Sequence, residues 1–381
     1  MRNPPARRAR RPGRSPHRRA GGRRVRRLAR LLASLTAVGT GLTAPTLAAA
    51  QDAVAIGLVV PGEGPQSELA AAARDAAETA IAAANREGGY RGRPFVLRIV
   101  AEDGLWGQGL ARVVSLAFDD PVWGVIGGFD GRSAHLIQQV IIKARIPFLT
   151  PWATDPTLSR GRIAWFFQLV PDDRQQAEAI VAGADTVLVI ADTTYDGRHF
   201  ADAVVAAGDA AGAVVRRVDT TRGADGLGGA SSVVADAGGD VRVVLATGPA
   251  AAVGLLDRAG AAPRPPTVHV PLRLASGGVR AASLAYPGRV LTAVIPPTPS
   301  VGTDARPRER SAPDAAAYTR EAVEALVAAI REAGLDHWRI RDALAARTPD
   351  DAPGPAFDDA GRRHGRVLLV PVTDRDGGGG G

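Results

Sequence analysis

Two short polar stretches carry whatever chemistry this chain can do. Asp130-Gly131-Arg132-Ser133 stands where an apolar run holding Val122, Val125 and Ile126 passes through Gly127-Gly128 into an amphipathic helix with Leu136, Ile137, Val140 and Ile141 on one face. Trp152-Ala153-Thr154 follows a second apolar run, Ile146 to Leu149, through Thr150-Pro151. A helix start offers free N–H groups and the positive end of a dipole, so it favours an anion such as a carboxylate. The hydroxyls of Ser133 and Thr154 add donors for the same oxygens. This is the chemistry of non-covalent capture of a small anion-bearing molecule.

Each of these residues also has a plain structural role open to it. Asp130 is placed to cap the helix, and Arg132 to be a solvated charge at its start. Trp152 serves either as a packing wall for a ligand or as interdomain packing, and Thr154 either contacts a ligand or caps the turn before Asp155-Pro156. Catalytic motifs are missing. His135, His199, His269, His337 and His364 show no metal spacing such as HExxH, and no GxSxG elbow or P-loop is present. Gly124, Gly127, Gly128 and Gly131 miss the GxGxxG spacing of a dinucleotide loop, and Asp172 and Asp173 read as acids at a helix start. The expectation is no enzyme, no metal and no cofactor.

The elements that must position these residues alternate. Val54 to Val60 is an apolar run of the kind that sheets covered on both faces require, and a helix from about Ser67 to Arg86 follows it. Strand Phe95 to Val100, a helix from about Gln108 to Phe118 and the strand at Val122 continue a βαβαβ pattern, hence a parallel sheet. The pattern restarts beyond Thr154, with strands predicted at Ala164–Leu169, Val187–Ile190, Val214–Val218, Val241–Leu245 and Thr267–Val270 and helices between them. A loop is expected over Asp192 to Gly197. Val290 to Ile295 reads as a strand, Pro313 to Ala333 and Trp338 to Ala346 as helices, and Val367 to Val372 as a last strand. The fold class is therefore α/β: two Rossmann-like lobes with parallel central sheets joined by a multi-crossing hinge. The division reads as 51–169 plus 297–347 in lobe 1, 170–296 plus 348–375 in lobe 2, and a disordered glycine tail at 376–381. Ligands of open α/β sheets lie beyond the carboxyl ends of the strands, where both polar stretches fall.

The formal charge of +8 misleads about partners. Residues 1–50 hold 13 arginines and no acid, which leaves 34 basic against 39 acidic residues and a balance of −5 in the other 331. The front reads as a secretory signal peptide with an Arg-rich extension: basic to Arg30, apolar from Leu31 to Val38, small residues at Ala48-Ala49-Ala50. A basic nucleic-acid-binding tail is the alternative, as is an over-extended start with initiation near Val25; Arg26-Arg27 would suit a twin-arginine route. The chain has no cysteine, which excludes disulfides and a lipid-modified cysteine, and no later segment has the length of a membrane span. A soluble periplasmic monomer that does not bind nucleic acid is expected.

In their order these features resemble the type I periplasmic binding proteins, in the branch of leucine/isoleucine/valine receptors of ABC importers. The matching residues are Gly64-Pro65, Ala84-Asn85-Arg86-Glu87-Gly88-Gly89 with Gly92, Asp103, Val125-Ile126-Gly127, Ile146-Pro147-Phe148-Leu149-Thr150-Pro151 with Ala153-Thr154, and Tyr195-Asp196-Gly197. The resemblance implies a solute receptor that closes on a small molecule and delivers it to an inner-membrane ABC permease. It implies that a ligand carboxylate lies against Asp130, Gly131, Arg132, Ser133, Trp152, Ala153 and Thr154, and that Tyr195 closes over it from the second lobe. Near Val270 to Arg273, where amino-acid receptors carry an acid for the ligand's ammonium, stand Leu272 and the cation Arg273. A carboxylate or neutral ligand is accordingly expected over a plain α-amino acid, with Arg273 a candidate contact. A sensory or scaffold protein of the same fold is the alternative function.

Overall fold

The computed structural model describes residues 53–64, 66–102, 108–119, 121–220, 229–230, 232–234, 236–237, 241–297, 312–348 and 356–373, all within one compact unit. The Arg-rich front, Asp103, the glycine-rich loop from Gly223, Pro299 and the glycine tail lie outside the described residues.

The first sheet comes from β1 (Val54–Pro61), β2 (Phe95–Glu102), β3 (Val125–Ile126), β4 (Phe148–Thr150) and β5 (Phe166–Gln168), in the order β2-β1-β3-β4-β5. Every pair is parallel, with Gly57 opposite Val125 and Val125 opposite Phe148. Three helices connect them: α1 (Ser67–Arg86), α2 (Gln108–Phe118) and α3 (Gly131–Ala144). The β1 side chains are buried from Val54 to Val60, as a strand covered on both faces requires.

The chain then builds a second sheet. After α4 (Asp173–Val181) come β6 (Thr186–Ala191), α5 (Tyr195–Ala211), β7 (Val214–Asp219), β8 (Arg242–Ala246), α6 (Pro249–Gly260), β9 (Val268–His269), a short 3-10 turn at Leu272–Leu274, α7 (Gly277–Ala285) and β10 (Val290–Val294). Helices α8 (Ala315–Ala333) and α9 (His337–Ala346) precede the last strand, β11 (Leu368–Pro371). The order is β11-β10-β9-β8-β6-β7, parallel except for the antiparallel edge pair β10–β11. Two parallel sheets with helical connections make the two-lobed α/β architecture that the sequence pattern demands.

Helix α8 follows strands of the second sheet yet packs on the first. Arg331 Nη2 donates to Ala84 O at 2.7 Å and its Nε to Gly89 O at 3.1 Å, both at the end of α1. Gly124 permits the approach, since a Cβ there would lie 2.6 Å from Leu326 Cδ2. The chain crosses between sheets side by side with itself: Gln168 N donates to Gly361 O at 2.7 Å, and Arg363 N to Gln168 O at 3.0 Å. Tyr318 OH donates to Ile295 O at 2.9 Å beside these strands of the crossing. A hinge of several adjacent crossings constrains the lobes to rotate about one line.

Three local readings shift. The stretch from Tyr195 opens α5 and is not a loop, because Thr194 accepts the Gly197 N–H through its side chain at 3.1 Å and starts the helix there. Helix α7 carries two glycines in its first turn, which hid it from periodicity. Trp123 and Val122 precede the short strand β3 and do not belong to it.

Candidate functional site

On the first lobe, the exits of β3 and β4 meet. Asp130 caps α3 by accepting the Ser133 N–H at 2.7 Å. Thr150 Oγ1 donates to Gly128 O at 2.7 Å and ties the end of β4 to the turn after β3. Gly131 touches Asp155: a Cβ at Gly131 would stand 2.8 Å from Asp155 Cβ and 3.0 Å from Oδ2. The two polar stretches named from the sequence are therefore neighbours, and glycine is required at the closest point. The Ser133 hydroxyl donates to Glu102 at the end of β2. Burial pushes the Glu102 carboxyl up, and the Ser133 bond works against that. A cavity of about 380 Å³ opens here, lined by Pro61, Glu63, Gln66, Glu102, Asp130 and Arg132 among others.

Ala153 and Trp152 face inward. Ala153 O accepts from Gln168 Nε2 at 2.8 Å. Trp152 is 1% exposed and packs on Tyr318 of α8, ring centroids 6.0 Å apart. Its indole belongs to the packing against α8.

Asp155 is the residue that the sequence reading passed over as part of a turn. Its Oδ1 accepts from Thr157 N at 2.8 Å and Thr157 Oγ1 at 2.7 Å. Its Oδ2 accepts from Tyr195 OH at 2.9 Å and lies 3.0 Å from His135 Nε2. Burial pushes this carboxyl up, but the bonds from His135, Thr157 and Tyr195 together hold it well below the ordinary carboxylate range. Tyr195 comes from α5 on the second lobe, so this bond spans the gap. Burial and the Asp155 charge raise the Tyr195 phenol in turn.

The second lobe contributes the ends of β6, β8 and β9. Asp192 Oδ2 accepts from Gly248 N at 2.6 Å and joins the β6 and β8 exits. Arg273 lies in the turn after β9; its Nη1 donates to Thr247 O at 3.4 Å, while Nε and Nη2 are buried without a hydrogen-bond partner. Leu272 is fully buried and does not face the gap; its N–H donates to Gln176 Oε1 at 2.8 Å.

Two more acids stand beside Arg273. Asp173 opens α4, donates its N–H to Thr154 O at 2.7 Å, shares a side-chain hydrogen bond with Thr154 and leaves Oδ1 unpartnered. Burial pushes Asp173 up to about 8, with Thr154 and the Arg273 charge opposing and Asp196 adding to the rise. Burial also raises Asp196, which feels Arg273 from its own lobe and Asp130 and Asp155 from the other. Sequence reasoning treated Asp173 correctly as a helix-start acid beside the capping Asp172, but had no signal for its burial. Among the described residues no group of three or more His, Cys, Asp or Glu could hold a metal ion, and no helix is long and apolar enough to cross a membrane.

Contacts thus bring Gly131 and Tyr195 onto Asp155, and Thr154 and Arg273 to Asp173, while Asp130, Ser133 and Arg132 line the cavity and Trp152 and Ala153 are buried. The sequence profile of a family described as "Periplasmic binding protein" matches residues 53–376. A "Leu/Ile/Val-binding protein homolog 3" of Brucella melitensis is 29% identical over 182 residues, 45% of this chain and 48% of that protein. "Leu/Ile/Val-binding protein BraC3" of Rhizobium johnstonii is 28% identical over 165 residues, 42% and 45% respectively. The chain thus aligns with about half the length of these relatives. Among solved structures, an ABC transporter substrate-binding protein of Desulfitobacterium hafniense in complex with Leu superimposes with TM-score 0.66 at 18% identity, covering 84% of this chain and 98% of the other. LivJ of Streptococcus pneumoniae in complex with isoleucine gives 0.67 at 15% identity, covering 85% and 98%. With the family profile spanning nearly all described residues and both lobes superimposing, the chain belongs to the type I periplasmic binding proteins, in the branch that resembles the Leu/Ile/Val-binding proteins.

Proposed function

We propose that this protein is the extracytoplasmic solute-binding component of an ABC importer, and that it captures a small amino-acid-like or carboxylate ligand between its lobes by hinge closure. The carrying observation is that Gly131 and Asp155 from the first lobe meet Tyr195 from the second, at the carboxyl ends of both sheets. In this reading the lobes divide as 51–169 plus 297–347 and 170–296 plus 348–375. The first 50 residues are the export signal, and the protein works in the periplasm as a monomer that hands its ligand to an inner-membrane permease.

Closure then follows from differential contact. An open form offers a ligand only one lobe, and bonds from the second lobe stabilise the closed form by the difference in affinity. The acid that is absent at Leu272 has a candidate counterpart in the partly exposed Asp196, which feels Arg273 from its own lobe and Asp130 and Asp155 from the other. A thermal-shift screen of amino acids, organic acids and amides, followed by small-angle scattering with the best hit, tests the proposal. Stabilisation together with a smaller radius of gyration is expected. No hit in the panel, or a hit without compaction, would count against capture by closure.

A further inference from the structure

The cavity at the exits of β1, β2 and β3 is lined mostly by acceptors. Glu63 and Gln66 come from the turn after β1, Glu102 ends β2, and Asp130 and Arg132 stand at the start of α3. Phe129, 3% exposed, gives it one apolar side. Its volume of about 380 Å³ falls within the range of roughly 300–1,000 Å³ that small-molecule sites occupy. Three carboxylates and one guanidinium therefore face a space of ligand size.

The donors of Ser133 are already engaged on this wall. Its N–H goes to Asp130 Oδ1 at 2.7 Å, and its hydroxyl goes to Glu102 Oε2. Each bond uses one oxygen of its acid. Among the described residues, Asp130 Oδ2 and Glu102 Oε1 accept no hydrogen bond, so both are acceptors for an incoming group. Burial pushes the Glu102 carboxyl up; Ser133 and the Arg132 charge oppose this, and the Asp130 charge adds to it. Asp130 also raises Asp196 from across the gap, so a cation beside Asp130 would relieve repulsion between acids of the two lobes. An apolar group seated in the cavity would strip water from these carboxylates without replacing its hydrogen bonds. A protonated nitrogen supplies both the donors and the charge, and such charge-assisted bonds are the strong ones.

Resting on the solute-receptor reading, we infer that this cavity seats a protonated nitrogen, an amine or guanidine, at the side-chain end of the ligand, and that Glu102 and Asp130 set that specificity. The rest of the ligand keeps the interlobe position of the receptor reading. The ligand class is a small organic acid or amino acid with a cationic side chain, in place of leucine or isoleucine.

The test is calorimetry with two pairs of compounds that differ only in a terminal amine: lysine against norleucine, and 6-aminohexanoate against hexanoate. In whichever pair binds, wild type should take the amine-bearing member at least about 10-fold more tightly, the ratio expected of one charged hydrogen bond. Glu102→Gln, which keeps the shape and removes the charge, should cut that preference about 5-fold or more and leave affinity for the apolar member within about 3-fold. Asp130→Asn, which keeps a capping oxygen at the helix start, decides by the same ratio if Glu102→Gln does not fold. Equal affinity within a pair, a preference unchanged in the variant, or equal weakening of both members would overturn the inference and leave the receptor reading intact. So would binding of an apolar or anionic compound from the wider thermal-shift screen when neither amine binds. No binding by any compound of the screen or the pairs would overturn the receptor reading and the inference with it.

Discussion

The Tyr195 hydroxyl donates to Asp155 Oδ2 at 2.9 Å, and this bond joins α5 of the second lobe to the β4 exit of the first. Asp155 is 2% exposed in its side chain, whereas Tyr195 is 43% exposed, so the acceptor is fixed and the donor arrives from the solvent side. Such a bond forms only when the lobes approach. Tyr195→Phe should weaken the closed form by about 1–2 kcal/mol, the worth of a hydrogen bond to a charged group at a partly exposed site. Small-angle scattering of the ligand-free protein should show a larger radius of gyration, and ligand affinity should fall several-fold. Identical radii and affinities would show that the bond does not latch the lobes.

Asp155→Asn should cost more, because His135, Thr157 and Tyr195 all point at the carboxylate. A carboxyl depressed in the fold contributes stability that is present above its unfolded value near 3.9 and is lost as pH falls toward the folded value. Wild type should therefore lose stability over the acid range in urea titrations between pH 5 and pH 3, and Asp155→Asn should lose less of it. Parallel curves for the two proteins would refute the assignment.

Asp173 titrates the other way. With its folded value at about 8 and the unfolded value near 3.9, the native state binds the extra proton between them. Stability from this group is fully retained below pH 4, declines as pH rises toward 8 and levels off above it. Asp173→Asn should flatten that alkaline decline, measured as the melting temperature from pH 5 to pH 8.5. An equal slope in the variant would mean that Asp173 ionises normally.

His269, in β9, is buried with Nδ1 unpartnered, and burial, aided by the charge of Arg242, pushes it down to about 4. The unfolded chain takes up a proton near 6.5 while the fold does not, so stability falls as pH drops from 6.5 to 4. His269→Leu should remove that acid loss, and chemical denaturation at pH 5 against pH 7 reads it directly. A variant as acid-sensitive as wild type would be the contrary result.

Trp152→Ala should destabilise by roughly 3–5 kcal/mol, as deletion of a large buried aromatic does, because it empties the packing against Tyr318. Trp152→Phe should keep ligand affinity within about 3-fold, since the ring supports the loop from behind and does not line the gap. A tenfold loss of affinity in the folded Trp152→Phe protein would return the indole to the cleft wall.

Local pattern was enough for much of this molecule. Apolar runs such as Val54 to Val60, separated by helices with caps like Asp130 and Asp172, have few ways to pack other than parallel sheets, so the two-lobed architecture was legible from the chain alone. The loops after β3 and β4 were legible as neighbours for the same reason: parallel strand order places their exits together. What periodicity cannot carry is which polar group meets which across the gap. Asp155 reads as a turn residue and Asp173 as a helix-start acid until the lobes are assembled around them and bury both. Only the tertiary structure brings Tyr195 onto Asp155, buries Asp173 beside Arg273 and leaves Nε and Nη2 of that guanidinium buried without a hydrogen-bond partner. The reason is physical: burial and charge coupling belong to contacts between residues far apart in the chain, and no local window contains both partners.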